Sequence, residues 1–125
     1  MKNLKKFYKI KATPPEVYAA LTNSFSIELW TGEEAVMSTT AGEEFSLFSG
    51  DIMGRNLQFE PDSKLVQEWY FGEQPEPSVV TITLTADKYF TKIELLHTNI
   101  PDEAFEDIAE GWDVSYFGPL KEFFE

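Results

Sequence analysis

Few side chains in this sequence could perform acid–base chemistry at neutral pH. The chain has one histidine, His97, and no cysteine. Imidazole is the side chain that exchanges protons near neutral pH, so His97 is the first candidate for a catalytic base. The surrounding sequence, LLHTNIP, allows two other roles. His97 could contact a bound ligand, or it could make a structural hydrogen bond near the end of a strand.

Metal-dependent and covalent chemistry has little support in the sequence. One histidine and no cysteine nearly exclude a zinc site built from these two residue types. We find no phosphate-binding glycine loop, dinucleotide fingerprint, nucleophile-elbow serine or calcium loop. The acid pairs Glu33–Glu34 and Glu43–Glu44 stand beside predicted turns, where solvation explains them. We therefore predict no catalytic residue, no metal and no cofactor.

Charge and hydropathy restrict the partners. The 125 residues carry a net charge of −12, which repels phosphate backbones, so we predict no nucleic-acid partner. Half of the ten basic residues lie within the first eleven positions. They form either a solvated strand face or a basic strip that binds an acidic partner. No apolar run approaches the ~20 residues that span a bilayer, and none follows the basic N-terminus as in a signal peptide. With no cysteine, these features predict a cytoplasmic protein.

The elements that must position these residues follow from hydrophobic periodicity. A first strand places Leu4, Tyr8 and Ile10 on one face, and the sequence TPPE then starts a short helix with a capping box. A second short helix follows, with Phe25, Leu29 and Trp30 as expected anchors. Between residues 33 and 99, turn residues separate five runs typical of strands, which predicts an antiparallel meander: EEFSLF, DIMGRNLQFE, KLVQEWYF, SVVTITLTA and YFTKIELLHTN.

The last part of the chain predicts one long amphipathic helix over residues 103–117. Apolar residues recur with a period near 3.6 through this helix and beyond its end: Phe105, Ile108, Ala109, Trp112, Tyr116, Leu120 and Phe123. Gly118–Pro119 is expected to kink or break the helix. The fold class is therefore α+β, with a curved antiparallel sheet of about six or seven strands wrapped around the C-terminal helix, and residues 1–125 form one domain.

Strand alternation places one set of side chains on the concave face of the sheet, opposite the helix. His97 shares its face with Ile93 and Leu95, and we expect it to make a structural hydrogen bond at the edge of a pocket, with Thr98, Asn99 or Asp102 nearby. This face is either a plain aromatic core or the wall of a ligand cavity. The candidate cavity-lining residues are Phe45, Leu47, Gln67, Trp69, Phe71, Ile82, Ile93, Leu95, His97, Trp112 and Tyr116.

Several segments together resemble a known family. They are KATPPEVYAALT, the block FSLFSGDIMGRNLQFEPDSKLVQEWYF with its Gly54, SVVTITL, TKIELLHTNIPDE and the pair Gly111–Trp112. The chain resembles the activator of heat-shock protein 90 ATPase homologue family, in the START-like (SRPBCC) helix-grip superfamily. It departs from the pattern at Tyr18, where tryptophan is common, and at Gly118–Pro119. The resemblance implies a START-like domain with a cavity between sheet and helix.

The resemblance leaves three functions open. Eukaryotic members carry a further N-terminal domain and stimulate the chaperone's ATPase, whereas a stand-alone domain looks more like bacterial relatives that bind small hydrophobic ligands or have no known activity. The first hypothesis is a module that binds a small hydrophobic or amphipathic molecule. The second is a co-chaperone-like module that acts through its surface. The third is a cyclase- or hydrolase-like enzyme with His97 as base.

Overall fold

A single antiparallel sheet of six strands forms the body of the computed structural model, which describes residues 1–125. The spatial order is β1-β6-β5-β4-β3-β2, so β2 to β6 form a meander and β1 pairs with the last strand. This confirms the predicted meander, at the lower of the two predicted strand numbers. The strands are β1 Lys2–Ile10, β2 Glu44–Leu47, β3 Ile52–Glu60, β4 Lys64–Trp69, β5 Ser78–Asp87 and β6 Phe90–Ile100.

Two short helices follow β1, as predicted. In α1 (Pro14–Thr22) the Thr13 hydroxyl accepts from the Glu16 amide at 3.4 Å, and the Glu16 carboxylate accepts from the Thr13 amide at 3.1 Å. This reciprocal pair is the predicted capping box. In α2 (Ser24–Thr31) the Asn23 side chain accepts from the Ser26 amide at 2.9 Å.

The expected anchors of α2 are partly wrong. Trp30 is buried, but Phe25 and Leu29 are 68% and 56% exposed, and Ile27 is buried instead. With eight residues, α2 reaches the core through only one narrow stripe. Ile27 and Trp30 are three residues apart and share that stripe, whereas Phe25 and Leu29 lie on another face.

The C-terminal helix is one run of helical backbone with a change of winding in the middle. It consists of α3 (Phe105–Gly111), a π-helical segment (Trp112–Phe117) and α4 (Gly118–Phe123). Of the predicted kink or break at Gly118–Pro119, the break does not occur, and the winding changes in the segment just before it. Pro119 lacks an amide hydrogen and would crowd the carbonyl four residues earlier in an α-helix. The π segment widens that turn, and the Gly118 amide bonds the Asp113 carbonyl five residues back.

The π segment also changes which residues face the sheet. Both Tyr116 and Phe117 are buried, although the sequence periodicity predicts only the first. Further along, Phe123 is 42% exposed and Phe124 packs against the core instead. Phe117 and Phe124 each lie one position beyond a residue that the periodicity names, as one extra residue in the wide turn would produce, whereas Leu120 is buried at its predicted position.

Gly54 lets the inner face of the sheet pack closely. It pairs with Phe45 on β2 and with Trp69 on β4. A Cβ atom at this position would collide with the Glu68 carbonyl oxygen and would lie 2.8 Å from the Phe45 ring. Glycine is therefore required there for steric reasons. Among the helices, none combines the length and the apolar character needed to cross a membrane.

Candidate functional site

His97 lies inside the protein, between the sheet and the C-terminal helix, with no exposed surface. Its Nδ1 accepts a hydrogen bond from the Trp112 indole N–H at 3.1 Å. Indole can only donate, so the neutral ring carries its proton on Nε2 and donates to the Ser78 hydroxyl at 2.9 Å. That hydroxyl in turn donates to the Thr98 carbonyl at 3.0 Å. Both ring nitrogens are therefore occupied in a single tautomer.

This environment fits the predicted structural role of His97. Burial lowers the pKa of the imidazole from 6.5 to about 3, so the ring is neutral at physiological pH. With no exposed atom and no free nitrogen, it cannot accept a proton from a substrate. His97 makes hydrogen bonds as predicted, with Ser78 and Trp112 as the partners, and its structural role stays a prediction. The nearby side chains of Thr98, Asn99 and Asp102 do not bond the ring, because β-sheet pairing and helix docking bring other groups closer.

A second buried chain of hydrogen bonds holds Trp69. Its indole N–H donates to the side-chain Oε1 of Gln67 at 3.1 Å, and the Gln67 side-chain Nε2 donates to Asn56 Oδ1, also at 3.1 Å. Asn56 then donates to the Ser38 carbonyl at 3.2 Å. Asn56 is a buried polar residue that the sequence analysis missed, although alternation from Gly54 would place it on the same face.

The rings of Trp69 and Trp112 meet at the centre of the concave face. Their rings stack at 4.7 Å between centroids, and the His97 ring lies edge-on to both, at 5.1 Å from Trp69 and 5.8 Å from Trp112. Tyr116 continues the cluster at 4.6 Å from Trp112, and Trp30 from α2 lies 5.1 Å from Tyr116. This part of the concave face is filled by aromatic side chains.

An open cavity remains at one end of the cluster, with a volume of about 730 Å³. It lies between the end of α2, the connection from β2 to β3, and the C-terminal helix. Its walls are formed by Thr31, Glu33, Phe48, Asp51, Ile52, Trp69, Asp107, Ile108, Gly111, Trp112, Ser115, Tyr116 and Pro119. Both alternatives from the sequence therefore describe part of the structure: a packed aromatic centre and a cavity beside it.

Three of the eleven candidate residues border this cavity: Trp69, Trp112 and Tyr116. Seven others are buried in the packed part of the interior, and Phe71 is half-buried; these eight are Phe45, Leu47, Gln67, Phe71, Ile82, Ile93, Leu95 and His97. Strand alternation could not find the wall residues that lie in connections, such as Glu33, Phe48 and Asp51, because such segments have no regular period. Ligand contact by the candidate residues stays a prediction.

Tyr116 brings an unpartnered polar group to the cavity. The residue is only 4% exposed, and its hydroxyl has no hydrogen-bond partner within the protein, in contrast to the indoles of Trp30, Trp69 and Trp112. Burial raises the pKa of this phenol well above its usual value, so it stays protonated. The only fully buried side-chain nitrogen or oxygen without a partner is Gln74 Oε1, so the Tyr116 hydroxyl keeps contact with solvent. Because Tyr116 lines the cavity, water or a molecule bound there can form a hydrogen bond with this hydroxyl.

The lysines of β1 are largely engaged within the chain. Lys5 pairs with Glu94 at 3.0 Å, and Lys9 pairs with Asp87 at 3.3 Å. Lys6 pairs with Asp113 at 2.6 Å, and the Tyr8 hydroxyl donates to the same carboxylate. These ion pairs favour a solvated strand face over a basic strip reserved for an acidic partner.

A curved antiparallel sheet that encloses a long C-terminal helix, with two short helices after the first strand, defines the helix-grip class of α+β proteins. The profile of the family described as "Activator of Hsp90 ATPase homolog 1-like protein" matches residues 11–125. The chain belongs to this family, as the resemblance in its sequence indicated.

Known relatives agree with this assignment. The chain is 32% identical over 126 residues to an activator of 90 kDa heat shock protein ATPase homolog from Dictyostelium discoideum, covering 98% of this chain and 33% of the relative. It is 29% identical over 114 residues to the human homolog 1, covering 90% of this chain and 34% of the relative. The chain thus spans about a third of the length of these curated relatives. The fold is also that of an HSP90 activator from Plasmodium falciparum, with a TM-score of 0.90 at 23% identity over 98% of this chain and 96% of that one.

The arrangement around His97 predicts a distinctive dependence of stability on pH. The folded-state pKa of about 3 lies below the value of about 6.5 expected after unfolding. The unfolded chain therefore binds a proton that the folded chain excludes. This contribution is fully present above pH 6.5 and is lost as the pH falls towards 3, with a total on the order of 5 kcal/mol.

Urea unfolding of the wild type and His97→Gln at pH 7, 6 and 5 measures this contribution. The many carboxylates affect both proteins alike, so their effect cancels in the comparison. Below pH 6.5 the wild type should lose about 1.4 kcal/mol per pH unit more than the variant. Equal slopes in the two proteins would show that His97 titrates as an ordinary histidine.

Proposed function

We propose that this chain binds a small amphipathic molecule in the cavity beside the C-terminal helix. The observation that carries the proposal is an open cavity of about 730 Å³ whose wall contains the unpartnered Tyr116 hydroxyl. Sites for small molecules in proteins ordinarily occupy about 300–1,000 Å³ and combine apolar walls with a few polar groups. Here Phe48, Ile52 and Ile108 supply apolar wall, and Thr31 and Ser115 supply hydroxyls.

Gly111 supports the same proposal. It has ordinary helical dihedral angles, φ −59° and ψ −36°, and lies inside the C-terminal helix. Glycine at an interior helical position costs about 1 kcal/mol relative to alanine. Nothing lies within 4 Å of where its Cβ would be, so packing does not require a glycine. Because Gly111 lines the cavity, a larger side chain there would occupy space that the glycine keeps open.

Replacement of Gly111 tests the proposal. Native mass spectrometry of freshly purified wild type should show a bound small molecule, and Gly111→Ala should retain it because the cavity accommodates a methyl group. Gly111→Leu should lose it, because the isobutyl group enters the cavity. The alanine variant should also be more stable by about 0.5–1 kcal/mol, from its higher helix propensity.

Gly111→Ala is the matched control for the backbone effect. Gly111→Leu should melt no lower than the wild type, since leucine also has a higher helix propensity than glycine, so that lost binding reflects a filled cavity and not unfolding. A folded Gly111→Leu variant that retains the molecule as well as the wild type would rule out this cavity as the binding site.

A second candidate function is regulation of a heat-shock protein 90 ATPase through the surface of the domain. The specific observation in its favour is membership of a family whose curated relatives are activators of that ATPase. The exposed face of α3 carries Glu106 and Glu110, which have no ion-pair partner in the chain and form a candidate contact surface. The lysines of β1 are weaker candidates, because most of them are paired within the chain.

The host's own heat-shock protein 90, mixed with the purified chain, tests this second function. Stimulation of its ATPase rate that falls with the double variant Glu106→Lys/Glu110→Lys, and persists with Gly111→Leu, would support a surface role independent of the cavity. An unchanged ATPase rate, with no complex in a pull-down, would remove this candidate. The two functions are therefore separable, because one variant fills the cavity and the other changes only the helix surface.

A further inference from the structure

The charges at the cavity all have one sign. Three of its thirteen lining residues are acidic, Glu33, Asp51 and Asp107, and none is lysine, arginine or histidine. The ion pairs of the protein all lie elsewhere, so none of these three carboxylates is neutralised by a neighbouring side chain. They come from three separate parts of the chain: the segment after α2, the connection before β3, and α3. The fold thus brings unneutralised negative charge to one opening.

One feature inside the cavity points to the same chemistry. Tyr116 is only 4% exposed and lines the cavity, its hydroxyl has no partner in the protein, and the hydroxyl oxygen can accept a hydrogen bond from an N–H donor. The Trp69 and Trp112 rings stack on each other and Phe117 stacks on Trp112, so they give the wall apolar surface. An ammonium group can use both the hydroxyl and the carboxylates. A carboxylate or a phosphate group would meet repulsion from the acidic side chains.

We propose that the cavity selects cationic amphiphiles, molecules with an apolar ring or chain and one ammonium group; this rests on the proposed binding function. The apolar part packs against Trp69, Trp112 and Ile108, and the ammonium group lies towards the carboxylates. A single carboxylate about 4 Å from the ammonium group strengthens binding about fivefold in a water-like medium, and more where the site is shielded. Fatty acids and other anions are excluded by the same charges.

Three probes with the same naphthalene skeleton test the charge selection: 1-naphthylmethylamine, 1-naphthalenemethanol and 1-naphthoic acid. Calorimetric titration at pH 7 and low ionic strength should show the amine binding at least tenfold more tightly than the alcohol, with the acid weakest. Added salt should reduce the affinity of the amine and leave that of the alcohol unchanged, because salt screens only the charge interaction.

Charge-neutralising variants identify the groups responsible. Asp51→Asn and Asp107→Asn should each weaken binding of the amine about fivefold and leave the affinity for the alcohol unchanged. Asp62→Asn is the matched control: it removes one negative charge in the turn between β3 and β4, outside the cavity, at a positive φ that asparagine tolerates. It should leave the affinities for both probes unchanged.

The outcomes separate this inference from the function on which it rests. If Gly111→Leu blocks binding but the alcohol binds as tightly as the amine, the binding function stands and the charge selection is wrong. Equal loss of amine affinity in Asp62→Asn and Asp107→Asn would also overturn the selection, because the effect would then come from net charge alone. If none of the three probes binds, both the function and the selection are contradicted.

Discussion

The hydrogen bond from the Trp112 indole to His97 Nδ1 joins the C-terminal helix to β6 of the sheet, and the rest of the interior depends on it. Its net contribution is about 1 kcal/mol, but leaving either buried partner unsatisfied costs about 1–3 kcal/mol. The bond therefore adds little net stability. Its main effect is to favour one rotation of the helix about its axis over the others. In that rotation Tyr116, one turn later, borders the cavity, and Phe117 stacks on Tyr8 of β1 at 4.2 Å.

Residues that disfavour a regular α-helix are concentrated where the C-terminal helix forms the cavity wall. Gly111 and Pro119 both line the cavity, and the π-helical segment lies between them. Glycine lowers helix propensity, and proline removes an amide donor. A helix selected only for stability would avoid both residues. Their location agrees with the general expectation that local rules are broken at functional sites, where an open space or a particular winding is needed.

Much of the architecture could be predicted because it depends on local patterns. The alternation Thr91–Ile93–Leu95–His97 correctly placed His97 inside, and Thr13 with Glu16 correctly started α1. The partners of His97 could not be predicted, since Ser78 reaches it only through the pairing of β5 with β6, and Trp112 only through docking of the helix.

The sequence pattern also did not predict the inner face of the helix or most of the cavity wall correctly. A period of 3.6 assumes uniform winding, so it named Phe123 and missed Phe117, the last residue of the π-helical segment. Asp51 and Glu33 come from irregular segments, whose side-chain directions are set only by the folded backbone. The sequence therefore predicted the packed centre of the site better than its open end.

The most direct test of this account is the protonation state of His97, observed by two-dimensional ¹H–¹⁵N NMR of the imidazole ring between pH 8 and pH 5. The account predicts one neutral tautomer throughout, with the proton on Nε2 and with Nδ1 accepting from the Trp112 indole, because the folded-state pKa is about 3. A ring that titrates with a midpoint near its ordinary value of 6.5, or that carries its proton on Nδ1, would contradict the hydrogen bond on which the helix, the aromatic cluster and the cavity depend.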